Sequence, residues 1–409
     1  MNMNKWTMGL AALGVVSLAS AVNAEEAMNV VQTTLSATTI NGYVNTSAWW
    51  NPNTGAAPGQ VPVYPAIPMS GGKQDGFNLD SVKIGLEKPL DATQQWSAGY
   101  KVDLVYGADA NTLNGNAYNT ADYSSSAVAI QNAFLALRAP VGNGLDFKFG
   151  VFDALLGYET FAAGNNPNYT RSYGWGLEPT TMTGALMTYK FTDWLSAAAG
   201  IANTYGPTIN QKAQWASGTG GAYGTKAESY KTYTGQVALT ATEDMGFLAG
   251  SALYLGIING FNSDVQGDSN APGYPTSGGN QMNLYVGGTF NTPVKAIKVG
   301  ASYDYAGTST GGLWANAAAG YISWQAMEKL TLFGRGEYSW RNEGYTVPGL
   351  PAKVVAGTLT VQYDLWENVL SRLELRWDHD ATGGTSYTSA NNGMMQNAFM
   401  VALNMIYKF

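Results

Sequence analysis

The chain has 409 residues, no cysteine, a formal net charge of −7 and only 12% charged residues, about half the share usual for a soluble domain. That acidic balance argues against nucleic acid or anionic lipid as a partner, and the missing cysteine excludes a disulfide scaffold. Beyond the first residues no apolar run is long enough to cross a bilayer as a helix, which excludes a helical membrane protein.

At the start, Lys5 precedes an apolar stretch from about Trp6 to Leu18, and Val22 and Ala24 occupy the −3 and −1 positions of a small-residue exit. This predicts a signal peptide over residues 1–24, cleaved after Ala24. An uncleaved anchor would need roughly 20 apolar residues and a basic flank. Residues 25–34 then form a short periplasmic segment, too short to be a module, and residues 35–409 form the remaining domain.

Along that domain apolar and polar residues alternate with period two, the pattern of strands that bury one face. Trp96, Ala98, Tyr100, Val102, Leu104 and Tyr106 alternate with Ser97, Gly99, Lys101 and Asp103. Leu145, Phe147, Phe149 and Val151 alternate with Asp146, Lys148 and Gly150. The pattern returns around Arg335, Glu337 and Arg341, and again with Leu373, Leu375 and Trp377 against Arg372, Glu374, Arg376 and Asp378. The last residues, from Phe399 through Tyr407 to Phe409, keep the same rhythm and end on an aromatic ring.

In a soluble sandwich the apolar face would be the core; in a membrane barrel it touches lipid and the charges line the bore. Connection lengths favour the barrel. Short turns near 88–93, 139–144, 192–193, 242–246, 291–296, 327–329 and 366–368 alternate with long Gly/Asn/Ser-rich segments near 51–75, 108–125, 153–179, 203–230, 260–280, 306–313, 342–351 and 379–393. That asymmetry predicts an all-β, transmembrane antiparallel β-barrel of about 16 strands with both termini periplasmic; one missed or split hairpin would make it fourteen or eighteen. Fifty glycines, 25 tyrosines and 12 tryptophans suit such a barrel, which needs small residues at crowded positions and aromatic rings at two interfaces.

Parity directs Lys83, Lys101, Arg138, Lys148, Lys190, Lys298, Arg335, Arg341, Arg372 and Arg376 into the lumen together with Glu87, Asp103, Asp146, Asp304, Glu337, Asp364, Glu374 and Asp378, and water there tolerates charges of both signs. It leaves most aromatic residues on the outside, with Trp49 and Trp50 among those expected in an interfacial girdle. The third long segment, 153–179, carries Asp153, Glu159, Arg171 and Glu178 among tyrosines, and its place between the fifth and sixth strands favours folding inward to narrow the bore over a surface role. Tyr407 and Phe409 are expected to act as an assembly signal read by the outer-membrane assembly machinery.

The run GVFDALLGYETFAAGNNPNYTRSYGWGLEPTTMTGALMTYKFTDWLSAAAGIANTYGP resembles the putative beta-barrel porin-2, OmpL-like family of bacterial outer-membrane proteins. The similarity takes in GFNLDSVKIGLEKPL and AFLALRAPVGNGLDFKFG and covers much of the first half of the chain. It implies a barrel and a channel without naming a solute, and the acidic tip of the enterobacterial constriction loop is missing from this sequence.

The expectation is a porin-type channel for passive diffusion of small hydrophilic solutes, located in the bacterial outer membrane. The alternatives are a substrate-selective channel, such as one for sugars, and a non-conducting barrel acting as adhesin or scaffold. The single histidine, His379, has no serine signal beside it, so no enzymatic activity is expected. No cofactor or metal site is expected either, since DHDATGG lacks the terminal bidentate acid of a calcium loop. Expected partners are outer-membrane lipid, the assembly machinery and small hydrophilic solutes, without nucleic acid; a homotrimer is left open.

Overall fold

The computed structural model describes residues 38–52, 73, 75–91, 93, 95–113, 127–210, 213–216, 223–225, 230–262, 279–308, 312–342, 350–388 and 394–409. The expected leader over 1–24 and the expected periplasmic segment 25–34 lie outside the described residues.

Sixteen strands close into one barrel. In chain order they are β1 (Thr39–Trp50), β2 (Gly76–Lys88), β3 (Ser97–Gly107), β4 (Ala127–Ala139), β5 (Leu145–Asp153), β6 (Thr181–Lys190), β7 (Leu195–Ala202) and β8 (Thr232–Thr240). There follow β9 (Ala252–Asn262), β10 (Gly279–Asn291), β11 (Ile297–Thr308), β12 (Trp314–Met327), β13 (Leu330–Arg341), β14 (Lys353–Trp366), β15 (Val369–Asp380) and β16 (Asn397–Lys408). Each pairs antiparallel with its predecessor, and β16 returns to β1 with Tyr43 opposite Lys408. Closure satisfies every ladder without leaving an edge in lipid, where an unpaired backbone group costs several kcal/mol. Two short hairpins, Gln214–Ala216 with Tyr223–Thr225 and Tyr387–Thr388 with Met394–Met395, decorate the long loops.

The alternation reads out directly in exposure. On β15, Leu373 and Leu375 are 43% and 48% exposed, while Arg372, Glu374 and Arg376 between them are at most 3% exposed. Tyr407 and Phe409 are half exposed and stack with ring centroids 6.5 Å apart. The turn between β8 and β9 is longer than its sequence suggests: tight turns over Glu243–Leu248 extend it until Ala241 N donates to Ser251 O.

The inner surface departs from a uniformly polar lumen. Phe134, Phe152, Met182, Leu186, Tyr254, Ile258, Tyr285 and Tyr321 form one apolar cluster with Ala154, Leu155, Leu156 and Tyr158 of the segment following β5. Small residues make this room: Ala198, Ala202, Ala238, Ala252 and Ala319 line the same cluster. At Gly300 any side chain would overlap the Tyr158 hydroxyl. Trp49 is also buried, against Tyr169, whereas its neighbour Trp50 is half exposed, so only one of the pair serves a girdle. Side-chain parity alone cannot foresee this, because an inward apolar residue is stable only if another part of the chain arrives to cover it.

Candidate functional site

The segment 154–180, here called loop 3, is built to be covered. Residues 154–158 and 168–174 are almost wholly buried, and its contacts reach residues of β1, β2 and β8 through β15. Tyr158 stacks on Tyr321 at 4.0 Å between centroids and receives a 2.9 Å bond from the Thr289 hydroxyl. Gln236 donates to Leu155 O.

Four arginines order the loop. Arg335 reaches Glu159 at 2.8 Å and Glu337 at 3.0 Å, and donates to Thr170 O at 2.7 Å. Arg376 holds Asp378 at 2.9 Å, lies 3.5 Å from Glu337, and donates to Arg171 O. Arg372 bonds only neutral oxygens: Gln362 Oε1, Ala163 O and Asn166 O at 3.0, 2.9 and 2.7 Å. Within the loop, Arg171 ties its own strand of backbone by donating to Phe161 O at 2.6 Å and Tyr169 O at 2.9 Å.

The acids answer in kind. Glu374 accepts Tyr169 N and Thr170 N at 2.6 and 2.9 Å, Glu337 accepts Tyr173 N, and Tyr173 donates its hydroxyl to Asp378 at 2.6 Å. Arg335, Arg376, Glu337, Glu374 and Asp378 are therefore a dry, mutually satisfied seat. A buried network of this kind is tolerable only when nearly every member is bonded, and removing one partner costs about 3–5 kcal/mol. Arg341 sits at the end of β13 and donates to Leu350 O.

The opposite wall is wet. A cavity of about 440 Å³ runs between β1–β5 and the loop, lined among others by Tyr43, Lys83, Lys101, Asp103, Asp153 and Glu178. Lys83 pairs with Asp103 at 2.8 Å, Lys101 with Glu87 at 3.0 Å and Arg138 with Asp146 at 2.6 Å. Lys148 lies over the Phe134 ring, 4.9 Å from its centroid. Asp153 accepts amide hydrogens from Gln131 and Asn132 at 2.9 and 3.1 Å. Burial first, then the neighbouring Asp304 carboxyl, pushes the Glu178 carboxyl well above its ordinary range where it lines the cavity.

The loop has a second anchor that its own sequence does not announce. Lys73 bridges Asp109 at 2.7 Å and Asp80 at 3.2 Å, and the Tyr169 hydroxyl bonds Ser47, Asp80 and Trp49 Nε1. Lys73, Asp109, Asp80 of β2 and the Ser47 and Trp49 pair of β1 lie far from Tyr169 in the chain, so no local spacing marks them. Toward the long-loop end, Val105, Ala110, Leu113, Ala129 and Phe161 form an apolar cluster above the cavity. His379 faces outward with Trp377, and both bond Asn397 Oδ1 at 2.9 Å. Among the described residues no group of three or more acids or histidines could hold a metal ion.

No curated protein matches the chain. Among solved structures, an anion-selective porin from Comamonas acidovorans superposes with a TM-score of 0.59 at 13% identity, over 91% of this chain and 99% of that one. The outer membrane channel DcaP of Acinetobacter baumannii gives 0.57 at 10% identity, over 91% and 97%. The trimer form of OmpT from Vibrio cholerae gives 0.54 at 14%, over 91% and 99%. Identities this low establish the shared fold and nothing finer. The family described as "Putative beta-barrel porin-2, OmpL-like" matches residues 37–409, reaching well past the first half where the resemblance is plainest, and the chain therefore belongs to this family of outer-membrane porins.

Proposed function

We propose that small hydrophilic solutes cross the outer membrane by passive diffusion through the space between loop 3 and the β1–β5 wall, with the chain termini and short turns on the periplasmic side. The cavity of about 440 Å³, bordered by ionisable side chains, is the observation that carries this reading. Lys83, Lys101, Asp103, Asp153 and Glu178 face the route, while Arg335, Arg372 and Arg376 act through the loop they hold. Loop 3 is the constriction, because its apolar flank fills the β6–β12 side and leaves water only the other.

A non-conducting barrel is the competing reading, favoured by the apolar cluster around Phe161 and Leu113 at the long-loop end of the cavity. Planar-bilayer recording with liposome swelling separates the two. Discrete conductance steps, together with swelling rates that fall as solute size rises, are expected; a sealed bilayer under all voltages would establish the non-conducting barrel instead.

A further inference from the structure

β1 and β16 are the one pair of barrel neighbours that meet from opposite ends of the chain, with no turn or loop between them. Their junction must therefore hold by side-to-side contact, against the entropy of bringing distant segments together. The ladder runs from Tyr43 opposite Lys408 to Trp50 opposite Val401, and beyond it Gly42 and Phe409 exchange two backbone bonds of 3.0 Å. Asn404 also donates across the junction, to Asn45 Oδ1 at 2.6 Å and to Thr46 O at 2.9 Å.

Loop 3 lies over this junction at two places. Toward the long-loop end of the ladder, the Tyr169 ring packs in one cluster with Trp49 of β1 and with Met400 and Ala402 of β16, and Trp49 faces Ala402 in the ladder. The Tyr169 hydroxyl accepts Trp49 Nε1 at 2.7 Å and bonds Ser47 Oγ at 2.9 Å. Toward the other end, Ala163 packs with Tyr43 of β1 and Ile406 of β16. Beside it the Lys408 ammonium donates to Gly164 O at 2.9 Å and to Asn165 Oδ1 at 3.2 Å. The loop backbone rests on the lysine stem there, because a Cβ at Gly164 would come 2.6 Å from Lys408 Cε. Both apolar contacts draw on the two strands at once, so each is complete only when β1 and β16 lie side by side.

We propose that loop 3 is a clasp on the β1–β16 closure: it seats fully only in a closed barrel and, once seated, keeps the end strands joined. The coupling is reciprocal, since a contact that needs both strands favours their junction by as much as the junction favours the seated loop. Closing the barrel and forming its constriction are then one event. The clasp does not depend on the channel reading, because it concerns strand pairing and its test needs no conductance.

Hydrogen exchange of the full-length, detergent-folded protein, read by mass spectrometry on its peptides, tests this. Tyr169→Ala, which alters neither end strand, is expected to speed exchange in β1 and β16 by about tenfold or more, as loss of a buried ring loosens the contacts it made. The β9–β10 ladder should keep its native rate. Tyr158→Ala removes a comparably buried ring, stacked on Tyr321 at the other flank of the loop, and should leave β1 and β16 as they were. Lys408→Gln should speed exchange around Tyr43, and Lys408→Arg should restore it. The heat-modifiable electrophoretic shift checks that each variant closes. If Tyr169→Ala does not close, Tyr169→Phe, which keeps the ring and loses the bonds to Ser47 and Trp49, carries the comparison. Native rates in β1 and β16, a rise spread evenly over all strands, or an equal rise in Tyr158→Ala overturns the clasp.

Discussion

Glu178 shows how a single carboxyl couples the constriction to pH. Burial is the main reason its carboxyl is held well above the ordinary range, and the adjacent Asp304 carboxyl and Glu159 act in the same direction. With the loop displaced, Glu178 loses its proton near the ordinary value of 4.5; with the loop seated, it keeps the proton to higher pH. The seated state thus binds the extra proton, so its advantage is fully present below the ordinary value and declines as pH rises through the window up to the raised one. The thermal midpoint of the detergent-solubilised barrel is expected to fall as the buffer is moved from mildly acidic toward neutral. Glu178→Gln, which keeps the shape and cannot ionise, should flatten that slope. Circular dichroism melts of both proteins check it; identical slopes would show that Glu178 does not set the dependence.

Loop 3 behaves as a separate element docked inside the barrel, and Arg335 is the residue on which its docking depends most. Its guanidinium joins the loop acid Glu159 and the loop backbone at Thr170 to the wall acid Glu337. Arg335→Gln would leave Glu159 buried without its cation and Glu337 with Arg376 alone, a loss of about 3–5 kcal/mol for breaking a buried pair. The strand ladder of β12–β14 does not depend on that side chain, so the barrel should persist while the loop comes loose. Expected is a larger and noisier single-channel conductance, with liposome swelling by sugars that the native protein excludes. Unchanged conductance and an unchanged size cutoff would place the constriction elsewhere. Arg335, Arg372 and Arg376 thus bear on conduction through the loop's position, because at 3% exposure or less they have almost no surface to offer a passing ion.

At the scale of the whole molecule the barrel divides into a dry sector, where loop 3 packs on β6–β12 and is seated on β13 and β15, and the cavity along β1–β5. Its lipid-facing surface is broadly apolar, with Ile84, Leu86, Leu104, Leu135 and Leu137 exposed on β2–β4. A further copy of the chain packed on these strands would cover part of that surface. Light scattering with correction for bound detergent tests such association by returning a multiple of the mass of the 43.4 kDa chain, less any leader removed. A monomeric mass at every protein concentration would refute it.

The barrel itself was written in the sequence, and so was the direction of most side chains. Period-two alternation is a local property, and the apolar exterior and alternating turn lengths follow from lipid on one side and water on the other, whatever the rest of the chain does. Arg372, Leu373, Glu374 and Leu375 could be assigned to faces from four adjacent letters, and the aromatic, charge-bearing segment 153–179 stood out by composition. What those charges do was decided only by tertiary structure. Arg335 and Glu159 are 176 residues apart and meet because the barrel closes around the loop; Lys73, Asp80, Asp109 and Tyr169 converge for the same reason. Inward tyrosines such as Tyr285 and Tyr321 contradict a polar lumen until loop 3 covers them. Strand parity tells which way a side chain points. Whether it then meets water, a partner or a folded-in loop depends on segments distant in sequence, and that separates the arginines that seat the loop from the lysines that line the cavity.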